Sequence, residues 1–331
     1  MRITNKMMSN NYLRDMGKNL NNLNRLNGQL SSGKEIRKPS DDPFRVARSM
    51  QLHTDVNTNV QYNDNINDTI NWLDATDTAL NQLTNVLQRT RELMVSSGNA
   101  AYGPDEKKAI NDEINQQVEQ VAQILNTNFD GRYIFGGTRG TAKPIGTTEN
   151  PLTNNSELVY LGRDGSPLIT DGTDQNANAE LNMIDGNLNV EISQGVVVNY
   201  NVNAMQILNF RGKDGKDQNF MDLMKDITNN LQSTNPDDAS KVTKENLTSM
   251  DAMIQNLMKV RGEVGAKQNR MEAALQKNES ENLNMKEILS KTEDIDFTQK
   301  TMEYSMAETV YTAALQTSAK ILPQTLMDYI R

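Results

Sequence analysis

Apolar residues recur along most of this chain at alternating intervals of three and four, the spacing of helices packed on helices. Leu13, Met16, Leu20, Leu23, Asn27 and Leu30 form the first such seam, predicting an amphipathic helix stopped at Gly33 with Pro39 beyond. Ser40-Asp41-Asp42-Pro43 reads as the start of a second helix: Asp42 can cap free backbone N–H groups, and Pro43 suits the first helical position. From Phe44 to about Val95 no proline or glycine interrupts, and Leu52, Asn59, Ile66, Leu73, Leu80, Leu87 and Met94 share one seven-residue register. A helix of about 50 residues would be ~75 Å long, a rod element rather than a globular one.

Ser97-Gly98 ends that rod, and Gly103-Pro104-Asp105-Glu106 opens a third helix whose buried face is Ile110, Ile114, Val118, Val121 and Leu125, folding back antiparallel to the second. The texture changes at Phe129. Asp130-Gly131 signals a tight turn before an aromatic strand Arg132–Phe135 and Gly136-Gly137. Twelve of the nineteen glycines lie between Gly131 and Gly215, and Leu158–Tyr160, Leu188–Ile192 and Val196–Val202 read as short strands, so 141–215 is expected to be an inserted β domain.

Helix resumes near Asn219, with a fresh start at Asn235-Pro236. Met250, Leu257, Val264, Met271, Asn278 and Met285 then share a register, with Met253, Val260, Lys267, Ala274, Glu281 and Ile288 on its partner seam. Gly262 and Gly265 weaken this second rod by roughly 1 kcal/mol each relative to Ala. The last helix is expected from about Asp296 to Met327, with Pro323 kinking or ending it. Met302, Met306 and Val310 line one stripe; Tyr304, Tyr311, Leu315, Leu322, Leu326 and Tyr329 line another. One neighbouring helix cannot cover a stripe that wide.

The two halves mirror each other about the β segment. The expected fold is mainly α with a small β insert: a long antiparallel, coiled-coil-like rod formed by the N- and C-terminal halves. Residues 1–40 and 294–331 would form a terminal helical domain, 41–140 and 216–293 the rod with a hairpin near 129–137, and 141–215 a surface-exposed insert. The expected assembly surface comprises Leu13, Met16, Leu20, Leu23 and Leu30 with Tyr304, Tyr311, Leu315, Leu322, Leu326 and Tyr329.

Composition narrows the chemistry. The 331 residues carry a formal charge of −9, no Cys and one His, which removes disulfides, thiolate metal sites and every two-histidine motif. A net acidic chain lacks the clustered cations that nucleic acid requires. The longest aliphatic run, Val196–Val198, is far from a membrane span, and 1–30 lacks the apolar stretch of a cleaved signal peptide. Asp41-Asp42 is better read as a cap than as a metal pair, and His53 as a helix-surface residue. Lys143 precedes Pro144, so Gly136–Gly140 is no P-loop, and Asp164, Asp171 and Asp174 lack the partners of an EF-hand. No catalytic, cofactor or metal residue emerges.

Several stretches nevertheless resemble the flagellin superfamily. Met1-Arg2-Ile3-Thr4, Gln29-Leu30-Ser31-Ser32-Gly33-Lys34 and Pro39–Pro43 are similar to its N-terminal signature. Gly131–Gly137 (Gly-Arg-Tyr-Ile-Phe-Gly-Gly) is similar to its mid-chain hairpin. Ala313-Ala314-Leu315-Gln316 and Leu326–Ile330 are similar to its C-terminal helix. Pro39–Pro43, where filament flagellins usually show Ala-Asp-Asp-Ala-Ala, and the Tyr-Ile-Phe-Gly-Gly hairpin make the chain most similar to the filament-side hook–filament junction branch, the type 3 hook-associated proteins. The resemblance covers about 1–140 and 216–331. It implies a structural, non-enzymatic subunit of the bacterial flagellum, exported through the flagellar channel without signal-peptide cleavage. Its implied partners are the hook-side junction protein, flagellin, further copies of itself in a ring, and an export chaperone on the C-terminal helix. Two other readings stand beside it: filament flagellin itself, and a sugar-binding or enzymatic module in 141–215, where Asp164, Asp171, Asp174, Asp185 and Glu191 supply carboxylates.

Overall fold

The computed structural model describes residues 5–99, 102–169, 174–233 and 235–321. Helices α1 (Asn5–Ser32), α2 (Pro43–Ser97) and α3 (Pro104–Leu125) come first. Short strands follow among the described residues: β1 (Asn128–Phe129), β2 (Arg132–Tyr133), β3 (Ile145–Glu149), β4 (Ser156–Tyr160), β5 (Asn189–Ser193), β6 (Val196–Asn199), β7 (Asn209–Arg211) and β8 (Asp217–Asn219). Short helices α4 (Gln175–Ile184) and α5 (Ala204–Leu208) lie among them. The chain closes with α6 (Phe220–Gln232), α7 (Pro236–Lys241), a π turn over Val242–Asn246, α8 (Leu247–Glu293) and α9 (Phe297–Ile321). The mainly helical class with a mid-chain β segment is as the sequence pattern predicts.

The chain divides into two compact units, 1–60 with 280–331 and 61–279. In the second, α2 and α8 run antiparallel, tied by Arg261 to Asp77 at 3.0 Å and Arg91 to Asp251 at 2.6 Å. Ile66, Leu73, Leu80, Leu87 and Met94 are all buried on α2, as are Met250, Leu257, Val264 and Met271 on α8. The register matches the seam read from sequence. Its partner seam on α8 fades beyond Val260, because Lys267 and Ala274 are only half-buried and Ile288 is exposed. Buried Thr76, Thr84 and Thr90 donate their hydroxyls to the carbonyls four residues back, so these polar side chains enter the core already satisfied. α3 begins where expected: Glu106 accepts the Gly103 N–H at 2.9 Å, and Arg89 meets Glu113 at 2.6 Å.

Among the described residues the β segment forms four separate antiparallel hairpins, β1–β2, β3–β4, β5–β6 and β7–β8, rather than one sheet. Two-stranded ribbons are marginal alone in water. Here Ile145, Leu158, Ile192, Val198 and Phe210 join a single apolar cluster with Val118 of α3, Leu73 of α2 and Ile227 of α6. Residues 141–215 thus share one core with the rod residues of this unit. The β1–β2 turn places Asp130 at φ 51 and Gly131 at φ 74, the paired positive angles of a type I′ turn. The predicted strand Arg132–Phe135 stops at Tyr133, since Ile134 and Phe135 are pulled into the core and leave the ladder. At Gly137, φ is +60 and a Cβ would sit 2.2 Å from the Ile184 carbonyl oxygen, so only glycine fits. Trp72 is buried on α2, with Phe129 and Tyr200 packed edge-on to it at 6.1 and 5.9 Å.

Asparagine, conspicuous in the sequence, works as a connector between elements. Asn278 donates to the Ile192 carbonyl at 2.8 Å, and Asn111, Asn115 and Gln232 all donate to the buried Asn155 oxygen. Such amides satisfy backbone and side-chain groups that a purely apolar interface would strand.

Candidate assembly interface

In the terminal unit α1 and α9 pack as an antiparallel pair, with Tyr12 donating its hydroxyl to the Ala314 carbonyl. The α1 face turned inward is Tyr12, Met16, Asn19, Leu23, Leu26 and Leu30, again a three–four alternation. Only half of the sequence-read seam is therefore used within the molecule. Met16, Leu23 and Leu30 face inward, but Tyr12, Asn19 and Leu26 replace Leu13, Leu20 and Asn27. Leu26 retains 2% of its exposure, whereas Leu13 and Leu20 keep 50% and 44%, and Asn27 is exposed. On the facing helix, Tyr304, Ala307, Tyr311 and Ala314 are the half-buried side chains, and α1 is rotated so that Leu26 rather than the polar Asn27 is buried. Seam spacing alone could not separate these phases, since Leu13 and Leu20 obey the same period.

On α9, Tyr304 and Tyr311 face the pair as half-buried residues, while Leu315 remains 41% exposed. Met302, Met306 and Val310 keep 62%, 70% and 50% of their exposure. Leu322, Leu326, Tyr329 and Pro323 lie outside the described residues. Among the described residues of α1 and α9, Met7, Met8, Leu13, Leu20, Phe297, Met302, Met306, Val310 and Leu315 are large apolar side chains open to solvent. Soluble chains expose single apolar residues freely, but faces of this kind mark association surfaces.

Polar contacts fix the base of the pair. Gly33, at φ +69, ends α1 and its N–H donates to the Gln29 carbonyl at 2.8 Å. Backbone bonds Glu35 N–H to Glu293 O and Ile295 N–H to Gly33 O then zip the two connectors together. Lys34 reaches Asp294 at 2.7 Å and Glu293 at 2.9 Å, which holds its ammonium pKa above the ordinary lysine value. Partial burial pushes the Glu293 carboxyl up, but hydrogen bonds from Lys34 and Ser49 outweigh it and the net direction is down; Asp294 is lowered by Lys34 and Ser290. His53 contributes Nε2 at 3.0 Å from Glu293, a surface packing role. Buried Gln29 donates to the Glu35 carbonyl at 2.6 Å and accepts from Arg25 at 3.1 Å.

The helix-start motif behaves as its chemistry requires. Asp42 accepts the Phe44 and Arg45 N–H groups at 3.1 and 3.0 Å, capping α2, with Pro43 first in the helix. Asp41 accepts the Arg37 and Lys38 N–H groups at 3.2 and 3.0 Å and closes the preceding turn, while Ser40 is exposed beside it. Sequence reasoning missed Tyr12, Asn19, Ala307 and Ala314; none is a conventional seam residue, and only the partner face identifies them. No helix among the described residues is long and apolar enough to cross a membrane.

The bacterial flagellin N-terminal helical region matches residues 3–139, and the bacterial flagellin C-terminal helical region matches 247–330. Flagellin of Halalkalibacterium halodurans is 30% identical over 208 residues, covering 59% of this chain and 73% of that protein. Flagellin of Clostridium tyrobutyricum is 34% identical over 140 residues, 42% of this chain but only 37% of its own length. Two solved structures from Legionella pneumophila share the fold at 14% identity. Flagellar hook associated protein-3 has a TM-score of 0.58, covering 73% of this chain and 98% of that one. The flagellar junction protein FlgL has 0.52, covering 76% and 100%. With both terminal helical regions matched, and paired in the structure through α1 with α9 and α2 with α8, this chain is a member of the bacterial flagellin family.

Proposed function

We propose that the chain is a structural subunit of the bacterial flagellum, seated at the junction between hook and filament and acting by helix packing in a tubular assembly. The observation that carries this reading is the open apolar face of the α1–α9 pair, which a second copy or a neighbouring flagellar subunit would bury. Leu13, Leu20 and Leu315 lie on the intermolecular side, with Met302, Met306 and Val310; Met16, Leu23, Leu30, Tyr304 and Tyr311 hold the pair itself. Leu322, Leu326 and Tyr329 belong to the same proposed assembly surface. Residues 1–40 and 294–331 form the inner tube in this scheme and order fully on assembly, 41–140 with 216–293 pack laterally, and 141–215 faces outward. The implied partners are the hook-side junction protein, flagellin and further copies in a ring, with an export chaperone holding the C-terminal helix beforehand and export proceeding without a cleaved signal peptide.

Filament flagellin is the competing reading, and its curated relatives carry that name. The Pro39–Pro43 start, the Tyr133–Gly137 hairpin and the fold shared with a hook associated protein favour the junction. Deleting the gene discriminates. Cells should keep hooks, release flagellin into the medium and build no filaments; normal filaments on such cells would refute the junction role.

A further inference from the structure

A groove of about 740 Å³ opens in the larger unit between the β7–β8 turn, the start of α6 and the π turn. Five carboxylates line it, those of Asp214, Asp217, Asp222, Asp226 and Glu245, against the two lysines Lys213 and Lys244. Asp214 accepts the Lys216 N–H at 3.3 Å and is occupied within its own turn. The other four make no ion pair among the described residues, and all are exposed. Partial burial and the neighbouring charge of Asp222 raise the Asp226 carboxyl above its ordinary value, against the pull of Lys225 and Lys241.

An independent observation comes from the floor. Asn246 lines the groove with 9% of its surface exposed, and its Nδ2 has no hydrogen-bond partner. A buried amide donor left unpaired costs about 1–3 kcal/mol, so its retention calls for an explanation. It sits in the π turn, a wide helical turn that is uncommon and recurs at functional positions. A bare metal ion does not answer both observations. An N–H group offers a cation nothing, and no three carboxylates among the described residues are close enough to hold one. The missing partner must bring positive charge and an acceptor oxygen together.

We propose that this groove seats a basic, extended polypeptide segment: the carboxylates take its arginine or lysine side chains, and the Asn246 amide takes one of its backbone carbonyls. Charged rims of this kind set encounter rate and selectivity, and the amide fixes the register of the bound strand.

The test uses the full chain and two probes, an acetylated and amidated hexa-arginine peptide and spermine, titrated calorimetrically at about 0.15 M salt. Asp226→Asn with Glu245→Gln spares Asp222, which supports the first turn of α6, and should weaken both probes by at least about tenfold. Asp64→Asn with Asp68→Asn changes net charge equally on an exposed stretch of α2 and should change either by less than about twofold. Asn246→Ala should weaken hexa-arginine by about three- to tenfold and leave spermine, which has no carbonyl, unchanged. Asn246→Leu, close in shape and uncharged, should reproduce that split if the alanine variant loses helical signal. Equal losses in the α2 control would reduce the effect to net charge and overturn the proposal. So would an Asn246 effect shared by spermine, or displacement of the peptide by equimolar calcium. Self-association abolished by the Asp226/Glu245 pair, without peptide binding, would assign the groove to a second copy instead.

Discussion

One substitution, glycine to alanine, should have opposite signs at two places in the larger unit, and the structure supplies both magnitudes. At Gly262 and Gly265, inside α8, a Cβ meets nothing within 4 Å. Alanine there adds no clash and removes the excess backbone entropy that glycine gives the unfolded chain, worth about 0.8–1 kcal/mol per position. The double variant Gly262→Ala/Gly265→Ala should therefore gain about 2 kcal/mol. For a unit of roughly 150–250 residues that corresponds to an unfolding midpoint about 4–8 °C higher, with the urea m-value unchanged. At Gly137 the backbone is left-handed and the new methyl would lie 2.2 Å from the Ile184 carbonyl oxygen. Gly137→Ala must displace backbone, and should lose at least about 2 kcal/mol. Circular dichroism at the helical minimum, followed through heat and urea, reads both. If the α8 variant lost stability, that face of the helix would be packed in the free chain, and the exposed placement of Gly262 would be wrong. If Gly137→Ala were neutral, the docking of the Gly136-Gly137 turn on α4 would be wrong.

Two further outcomes concern the terminal unit. Met306→Glu should leave the helical signal of the free chain unchanged, because the side chain keeps 70% of its exposure, yet abolish filament rescue when the variant is returned to a deletion strain; rescue at the normal level would remove Met306 from the assembly face. The Lys34–Glu293–Asp294 cluster has carboxyls lowered from ordinary values of 4.5 and 3.8, so its contribution is present above those values and lost as pH falls through and below them; Lys34, raised from 10.5, loses its share only at more alkaline pH. Exchange of the Glu35 and Ile295 amides, corrected for intrinsic rates, should quicken below about pH 4.5 and stay flat from about 6 to 9. A change confined to neutral pH would contradict this.

Much of this architecture was written in periodicity. Ile66 through Met94 and Met250 through Met271 kept one register because each faced a long, continuous partner, and the Asp42 cap and the Asp130-Gly131 turn are local chemistry that needs no tertiary knowledge. Residues whose placement depends on a distant surface were harder. Leu26 and Leu20 are equally apolar, and only the way α1 packs in the terminal unit decides which is buried. Strands β3, β7 and β8, and helices α4 and α5, were missed because such short segments gain order from the shared core rather than from their own pattern. The π turn leaves no signature in Val242–Asn246, whose residues would suit an ordinary helix.

Trp72, the chain's only indole, has consequences beyond its packing. Because Phe129 of the first hairpin and Tyr200 beyond the third both press their edges on it, the chain's single indole fluorophore is wired to the seating of two ribbons on a single helix. Its emission colour and quenching should respond to that seating. Excited selectively, this optical channel reports on the ribbons themselves, and its emission should change when they lift from the helix.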